Sequence, residues 1–242
     1  MSFYSSIASC YDYIFPAYGT QITFLQKTLG QAPKQLLDIA CGTGSYALAL
    51  AKLGYLMTAL DADAGMIESA KAKADIEEAE LALIHCSMEN IKDCIEGHFD
   101  GAYCIGNSIV HLETKEKIKG FLKDLNTILK ADGKFVVQIV NYDRVMRHNV
   151  TELPPITNEE IGMQFFRSYR MNEDQTQVAF DTKFHLKDKV EEHTTMLIPL
   201  LKDELEAMLV EVGYKNIECY GDFEGVPFDA DASYHCIFVM SK

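Results

Sequence analysis

The chain has 242 residues, 48% of them hydrophobic and 24% charged, which suits one α/β domain with an insertion and a sizeable core. Its 36 acidic against 22 basic residues give a net charge of −14, so phosphate backbones and anionic lipid are repelled and neither nucleic acid nor a membrane is expected as partner. Met1–Phe15 lacks the basic and apolar regions of a signal peptide, and no apolar stretch reaches transmembrane length. Seven cysteines are scattered without C-x-x-C or metal-ligand spacing. They predict a cytoplasmic protein with reduced thiols and no metal.

In chain order, Tyr4, Ile7, Tyr11 and Ile14 repeat at helical spacing, with Tyr13, Phe15 and Tyr18 among them. Phe24, Leu25 and Leu29 continue an amphipathic helix that stops near Gly30. Leu36–Ser45, LLDIACGTGS, follows as an apolar strand carrying Asp38, a turn built on Gly42 and Gly44, and the start of a helix. Such a turn brings backbone and helix N–H groups close to a ligand at the carboxyl edge of an open sheet. The segment Gly42–Ala47 also satisfies G-x-G-x-x-G/A, and Asp61 lies about 20 residues on, so a nicotinamide enzyme is one reading. Asp38 argues against it, because a carboxylate at the turn repels a pyrophosphate and attracts an ammonium or sulfonium.

Further strands are expected at Tyr55–Asp61, Leu81–Cys86, Phe99–Ile105 and Lys134–Val140, with helices over Ala64–Ala74 and from Ile118 to Leu129, the latter closed by Ala131-Asp132-Gly133. The fourth strand delivers Gly106, Asn107, Ser108 and His111 to the same edge as the glycine turn. From Met163 to Leu200 the period becomes alternating. This predicts three antiparallel strands, with Asp188-Lys189 as a hairpin turn and Arg167 and Arg170 on the first strand. A helix from Leu201 to Val212 and strands at Lys215–Gly221 and Tyr234–Met240 return to the sheet.

LLDIACGTG together with LDADAGMIESA, Leu60–Ala70, resembles the first two motifs of class I S-adenosylmethionine-dependent methyltransferases, with Ala40 where most members carry glycine. CIGNSIVHL, Cys104–Leu112, and VNYDRVM, Val140–Met146, are similar to glycine and glycine/sarcosine N-methyltransferases. The resemblance implies a doubly wound, mostly parallel seven-stranded Rossmann-like sheet. Residues 1–32 would form a helical cap, 33–150 with 201–242 the cofactor domain, and 151–200 an inserted antiparallel β lid. It implies S-adenosylmethionine as cofactor, held by Asp38, Ala40, Gly42, Gly44, Asp61, Ala62, Met66, Ser87, Met88, Cys104 and Gly106. A serine at 87 stands where relatives often have aspartate. The acceptor would be a small molecule, most readily an amine and alternatively a hydroxyl or carboxylate oxygen. Asn107, His111 and Tyr11 would serve the chemistry, and Tyr4, Tyr13, Asn107, His111, Arg144, Arg167 and Arg170 would bind the acceptor. The glycine enzymes hold the substrate carboxylate with an arginine where this chain has Val140, so an arginine of that last group would have to replace it.

Overall fold

A computed structural model describes residues 3–242; Met1 and Ser2 of the expected cap lie outside the described residues. The elements run α1 (Phe3–Ile7), α2 (Tyr11–Ile14), α3 (Gly19–Leu29), β1 (Gln35–Ile39), α4 (Ser45–Lys52), β2 (Leu56–Asp61), α5 (Ala64–Ile76) and β3 (Leu81–His85). Next come α6 (Ile91–Cys94), β4 (Phe99–Cys104), α7 (Lys115–Ile128), β5 (Leu129–Val140) and α8 (Tyr142–Arg147). The insertion is β6 (Glu152–Asn158), β7 (Met163–Met171), β8 (Val178–Leu186) and β9 (Lys189–Leu197), and the chain ends with α9 (Lys202–Val212), β10 (Lys215–Tyr220) and β11 (His235–Ser241).

The main sheet has the order β10-β11-β5-β4-β1-β2-β3, parallel except for β11, which runs antiparallel to both β5 and β10. Central strands buried on both faces need continuous apolar runs, and β1 meets this with Leu36, Leu37 and Ile39, all fully buried. Helix α7 shows the other signature. Ile118, Phe121, Leu122, Leu125 and Ile128 form one buried stripe, and the Thr114 hydroxyl accepts the Lys117 N–H at 3.2 Å as its N-cap. Chain order reverses at β1, which lies between β2 and β4. The turn after β1 therefore sits at a topological switch point, where an open α/β sheet leaves a crevice.

Three boundaries differ from the sequence expectation. Strand β5 begins at Leu129, and the Ala131–Gly133 stretch is a bulge within it, because the β4–β5 register jumps from Phe99↔Leu129 to Gly101↔Lys134. The inserted sheet has four strands in the order β6-β7-β8-β9. Its extra member, β6, carries Pro154 and Pro155, which suit an edge strand and break the alternating pattern that reveals strands. The β8–β9 turn falls on Lys187-Asp188, one residue early, with Lys187 at φ 54°.

The thiol expectation is corrected too. A short turn after β3 brings Cys86 and Cys94 to a Cα–Cα distance of 6.4 Å, and they form a disulfide, while Cys10, Cys41, Cys104, Cys219 and Cys236 are free. Among the described residues, no helix is long and apolar enough to cross a membrane.

Candidate active site

The site grows from the carboxyl ends of β1, β2 and β4. Gly42 and Gly44 both take positive φ, at 56° and 74°, which lets the chain turn sharply into α4. Asp61, the last residue of β2, accepts the Gly42 N–H at 2.8 Å through Oδ2 and the Asp63 N–H at 2.9 Å through Oδ1. Burial raises its pKa while those two N–H groups work the other way. Asp38 is almost fully buried on β1 and accepts the Tyr103 hydroxyl at 2.9 Å. Desolvation pushes it up to about 7, against the Tyr103 hydrogen bond and with the help of the Asp61 charge.

Ala40 is held at φ 58°, a left-handed conformation that glycine adopts without cost. Alanine therefore carries strain of about 1 kcal/mol here. Ala40→Gly is expected to leave the melting temperature unchanged or raise it, whereas Ala40→Val should destabilise by about 2 kcal/mol or more. Thermal unfolding of the two variants checks this; a clear loss of stability in Ala40→Gly would contradict it.

On the β2–β3 side, Met66 is buried in the first turn of α5, whose N-cap Asp63 accepts the Met66 N–H at 3.1 Å. The Ala62 carbonyl lies 3.0 Å from His85 Nε2. The Ser87 hydroxyl accepts the Glu89 N–H at 3.3 Å, and Met88 is buried beside it. The disulfide ties this turn down at both ends.

On the β4–β5 side, Cys104 is buried with its thiol pKa raised by desolvation, and Gly106 turns the chain at φ 87°. Asn107, at φ 67°, joins the two strand ends: its Oδ1 accepts the Val140 N–H at 2.9 Å, and its Nδ2 donates to the Tyr142 hydroxyl at 3.1 Å. One amide N–H and part of the oxygen's capacity remain. His111 lies on a short 3-10 turn after β4, with its ring 6.1 Å from that of Tyr4. Burial lowers its pKa to about 4, so the imidazole is neutral at physiological pH.

The N-terminal segment covers the glycine turn. A Cβ on Gly42 would meet the Tyr11 ring at 3.0 Å. Burial raises the Tyr11 and Tyr4 hydroxyl pKa values, that of Tyr4 to about 12, with Asp61 contributing in both. Tyr13 does not join them: it is 53% exposed, because α2 turns it outward while Tyr11 and Ile14 face in. The expected acceptor contact from Tyr13 is thus disfavoured. Sequence reading missed Asp12, which accepts the Thr43 and Ser45 hydroxyls at 2.6 and 2.7 Å and pairs with Lys73 at 2.7 Å.

The three expected arginines have different partners. Arg170 alternates onto the face of β7 opposite Phe165 and Tyr169, exposed and paired with Asp181 at 3.0 Å. Arg144 stacks over the Tyr234 ring at 4.4 Å. Arg167 shares the side of β7 that carries Phe165, donates to the Pro154 carbonyl at 2.8 Å, and keeps a buried Nε without a partner. A cleft of about 900 Å³ opens at the opposite edge of the sheet, lined by Gln35, Tyr55, Leu81 and Phe99. It contains none of the expected site residues.

Two carboxylates at the switch point, backbone N–H groups of a glycine turn, and flanking methionines fit the charge and shape of the cofactor implied by the sequence resemblance. Residues 36–133 match the model of the Methyltransferase domain family. A glycine/sarcosine N-methyltransferase of Aphanothece halophytica is 28% identical over 233 residues, covering 90% of this chain and 80% of that protein. Among solved structures, an S-adenosylmethionine-dependent methyltransferase of Clostridium acetobutylicum ATCC 824 superposes with TM-score 0.83 at 17% identity over 99% of both chains. An amino pentose methyltransferase from Micromonospora echinaspora superposes with TM-score 0.68 at 15% identity, over 98% of this chain and 96% of that one. The last two show the fold.

Proposed function

Because the chain is an S-adenosylmethionine-dependent methyltransferase, we propose that its acceptor is a small molecule and that the methyl group goes to an amine nitrogen. The nicotinamide reading of the glycine turn is set aside. The observation that carries the amine assignment is the half-buried His111 on the turn after β4, its ring 6.1 Å from that of Tyr4 and its imidazole held neutral by desolvation. With its pKa near 4 it is a weak base. An amine entering neutral needs no stronger one, whereas an alcohol does. The names of the sequence relatives, glycine/sarcosine N-methyltransferases, support the same choice.

The cofactor supplies an electrophilic methyl group on a sulfonium. The chain's own residues bind, orient and exclude water. Asp61 would accept the ribose hydroxyls, Asp38 would face the positive charge, and Met66, Ser87 and Met88 would enclose the adenine. Tyr4 and Tyr11 would cover the reacting atoms, and in-line transfer gains most from such positioning and dryness. His111 and the remaining N–H of Asn107 would orient the acceptor. For an acceptor that carries an anionic group, Arg167 is the arginine we retain, through its unpartnered Nε.

The test is release of S-adenosylhomocysteine from S-adenosylmethionine with glycine, sarcosine, an amino sugar and simple alcohols. Turnover of an amine supports the assignment; turnover of alcohols alone overturns it.

Asp38 yields a pH prediction. Its pKa of about 7 lies above that of a carboxylate in the unfolded chain, so the stability it contributes is present at acid pH and lost as pH rises through 7. A bound cation beside it would draw its proton off. Cofactor affinity should therefore rise between about pH 6 and about pH 8 and become flat in Asp38→Asn. Calorimetry across that range checks it, and a flat wild-type profile would refute it.

A further inference from the structure

The N-terminal segment is pinned to the cofactor domain by an ionic cluster that the functional assignment leaves unused. Asp12 sits in α2, one residue after Tyr11. Its Oδ1 accepts hydroxyl hydrogen bonds from Thr43, inside the glycine turn, at 2.6 Å and from Ser45, the first residue of α4, at 2.7 Å. Its Oδ2 pairs with Lys73 Nζ at 2.7 Å. The same ammonium reaches Thr43 Oγ1 at 2.9 Å and Ser45 Oγ at 2.7 Å. One carboxylate, one ammonium and two hydroxyls thus close a ring joining α2, the glycine turn and α5. Thr43 is 2% exposed, so its hydroxyl needs such a partner.

An isolated surface ion pair has little effect, but a network of short charge-assisted bonds anchored on a buried hydroxyl is a different case. Burial opposes ionisation of Asp12, yet the bonds from Lys73, Thr43 and Ser45 hold its pKa below the usual carboxylate value. Two close approaches accompany the ring. Tyr11 lies against Gly42, and Ser5 Oγ would meet a Cβ on Gly65 at 2.8 Å while donating to Asp63 Oδ1 at 2.7 Å. Ser6 hydrogen-bonds Glu191 of the inserted sheet, and Ile7, Cys10 and Ile14 pack with Met163, Phe165 and Phe184 from it. The segment therefore lies between the two sheets, and the Asp12 ring fixes its position over the turn that carries Gly42 and Gly44.

We propose that Asp12 and Lys73 are positioning residues: they latch the N-terminal segment across the glycine turn, hold Tyr4 and Tyr11 over the cofactor, and so set its rate of release. The latch rests on the cofactor assignment and is independent of the acceptor. Neither residue touches the reacting atoms. They act through Tyr11, the residue before Asp12 in α2, whose ring lies against Gly42 of the same glycine turn.

Asp12→Asn keeps the size and one acceptor oxygen, and Lys73→Met keeps the length of the stem, so each removes charge with little change in packing. Hydrogen exchange of the unliganded protein reads the latch directly. Amides of residues 3–15 should exchange about tenfold or more faster in either variant, with β1, β4 and β5 unchanged. With S-adenosylhomocysteine as the probe, each variant should bind about tenfold more weakly, chiefly through faster dissociation, and the double variant should be no worse than the single ones. Lys73→Arg, which keeps the charge, should recover most of the affinity. Unchanged exchange in residues 3–15 overturns the latch, whatever the enzyme proves to methylate. So does a double variant whose losses add, because the two residues would then act separately.

Discussion

Asp61→Ala is expected to weaken S-adenosylmethionine binding by about 2–3 kcal/mol, or roughly 30- to 150-fold, the scale for losing charge-assisted hydrogen bonds. Each Asp61 oxygen already accepts one backbone N–H, from Gly42 and from Asp63, so the carboxylate is fixed before the ligand arrives. Its second lone pairs are what we assign to the ribose hydroxyls. The substitution also strands those two N–H groups, so some loss of stability should accompany the loss of affinity. Asp61→Asn separates the two effects: its amide oxygen replaces one acceptor, and its NH₂ cannot replace the other. It should bind better than Asp61→Ala and worse than wild type. Calorimetry with the cofactor, beside melting curves without it, gives both numbers. Wild-type affinity in Asp61→Ala would remove Asp61 from the cofactor site.

Asp61 was legible in the sequence because a lone carboxylate ends an apolar run beside a glycine turn. The parallel strands were legible for the same reason: burial on both faces demands near-continuous apolar runs such as Leu36, Leu37 and Ile39, interrupted only by Asp38. What escaped notice depended on long-range pairing. Asp12 is an unremarked acid in a helical stretch until the fold brings Lys73 and Ser45 to it, 61 and 33 residues away. Cys86 and Cys94 are eight apart and fit no motif, and only the turn after β3 brings them together. Arg170 shows how strand parity decides. Its neighbours at alternate positions, Phe166 and Ser168, alternate outward with it, and although it borders the same cleft as Arg167 its guanidinium is taken up by Asp181 while that of Arg167 reaches the Pro154 carbonyl. Strand β6 was hidden by its own prolines, which mark an edge and erase the alternation. The strain at Ala40 is likewise invisible as a letter, since alanine reads as a small residue and only the left-handed backbone makes it costly.

His111→Ala is expected to lower turnover only about tenfold if the acceptor is an amine, and by about 10²–10⁴-fold if it is a hydroxyl that needs a general base. The difference follows from where the imidazole titrates. Burial holds its pKa at about 4, so above about pH 5 it is already neutral and its charge state no longer changes with pH. A rate that keeps rising above pH 7 must then report another group, and a free amine acceptor, which deprotonates at about pH 8–10, is the group the assignment supplies. The pH–rate profile of the wild type should climb through that range, and His111→Ala should keep its shape at a lower height. If instead the profile is level above about pH 5 and the variant loses more than about a hundredfold, His111 is the base for an oxygen acceptor and the amine assignment fails. Stability gives an independent reading of the same pKa. The folded value lies below the unfolded value of about 6.5, so the unfolded chain binds the extra proton, and stability present above pH 6.5 is lost as pH falls toward 4. That loss should be on the order of 2–3 kcal/mol in the wild type and absent in His111→Ala, read as the difference between their denaturation midpoints at about pH 7 and about pH 4.5. If both proteins lose the same stability over that range, the imidazole is solvated and charged, and the orienting role assigned to a neutral His111 falls with it.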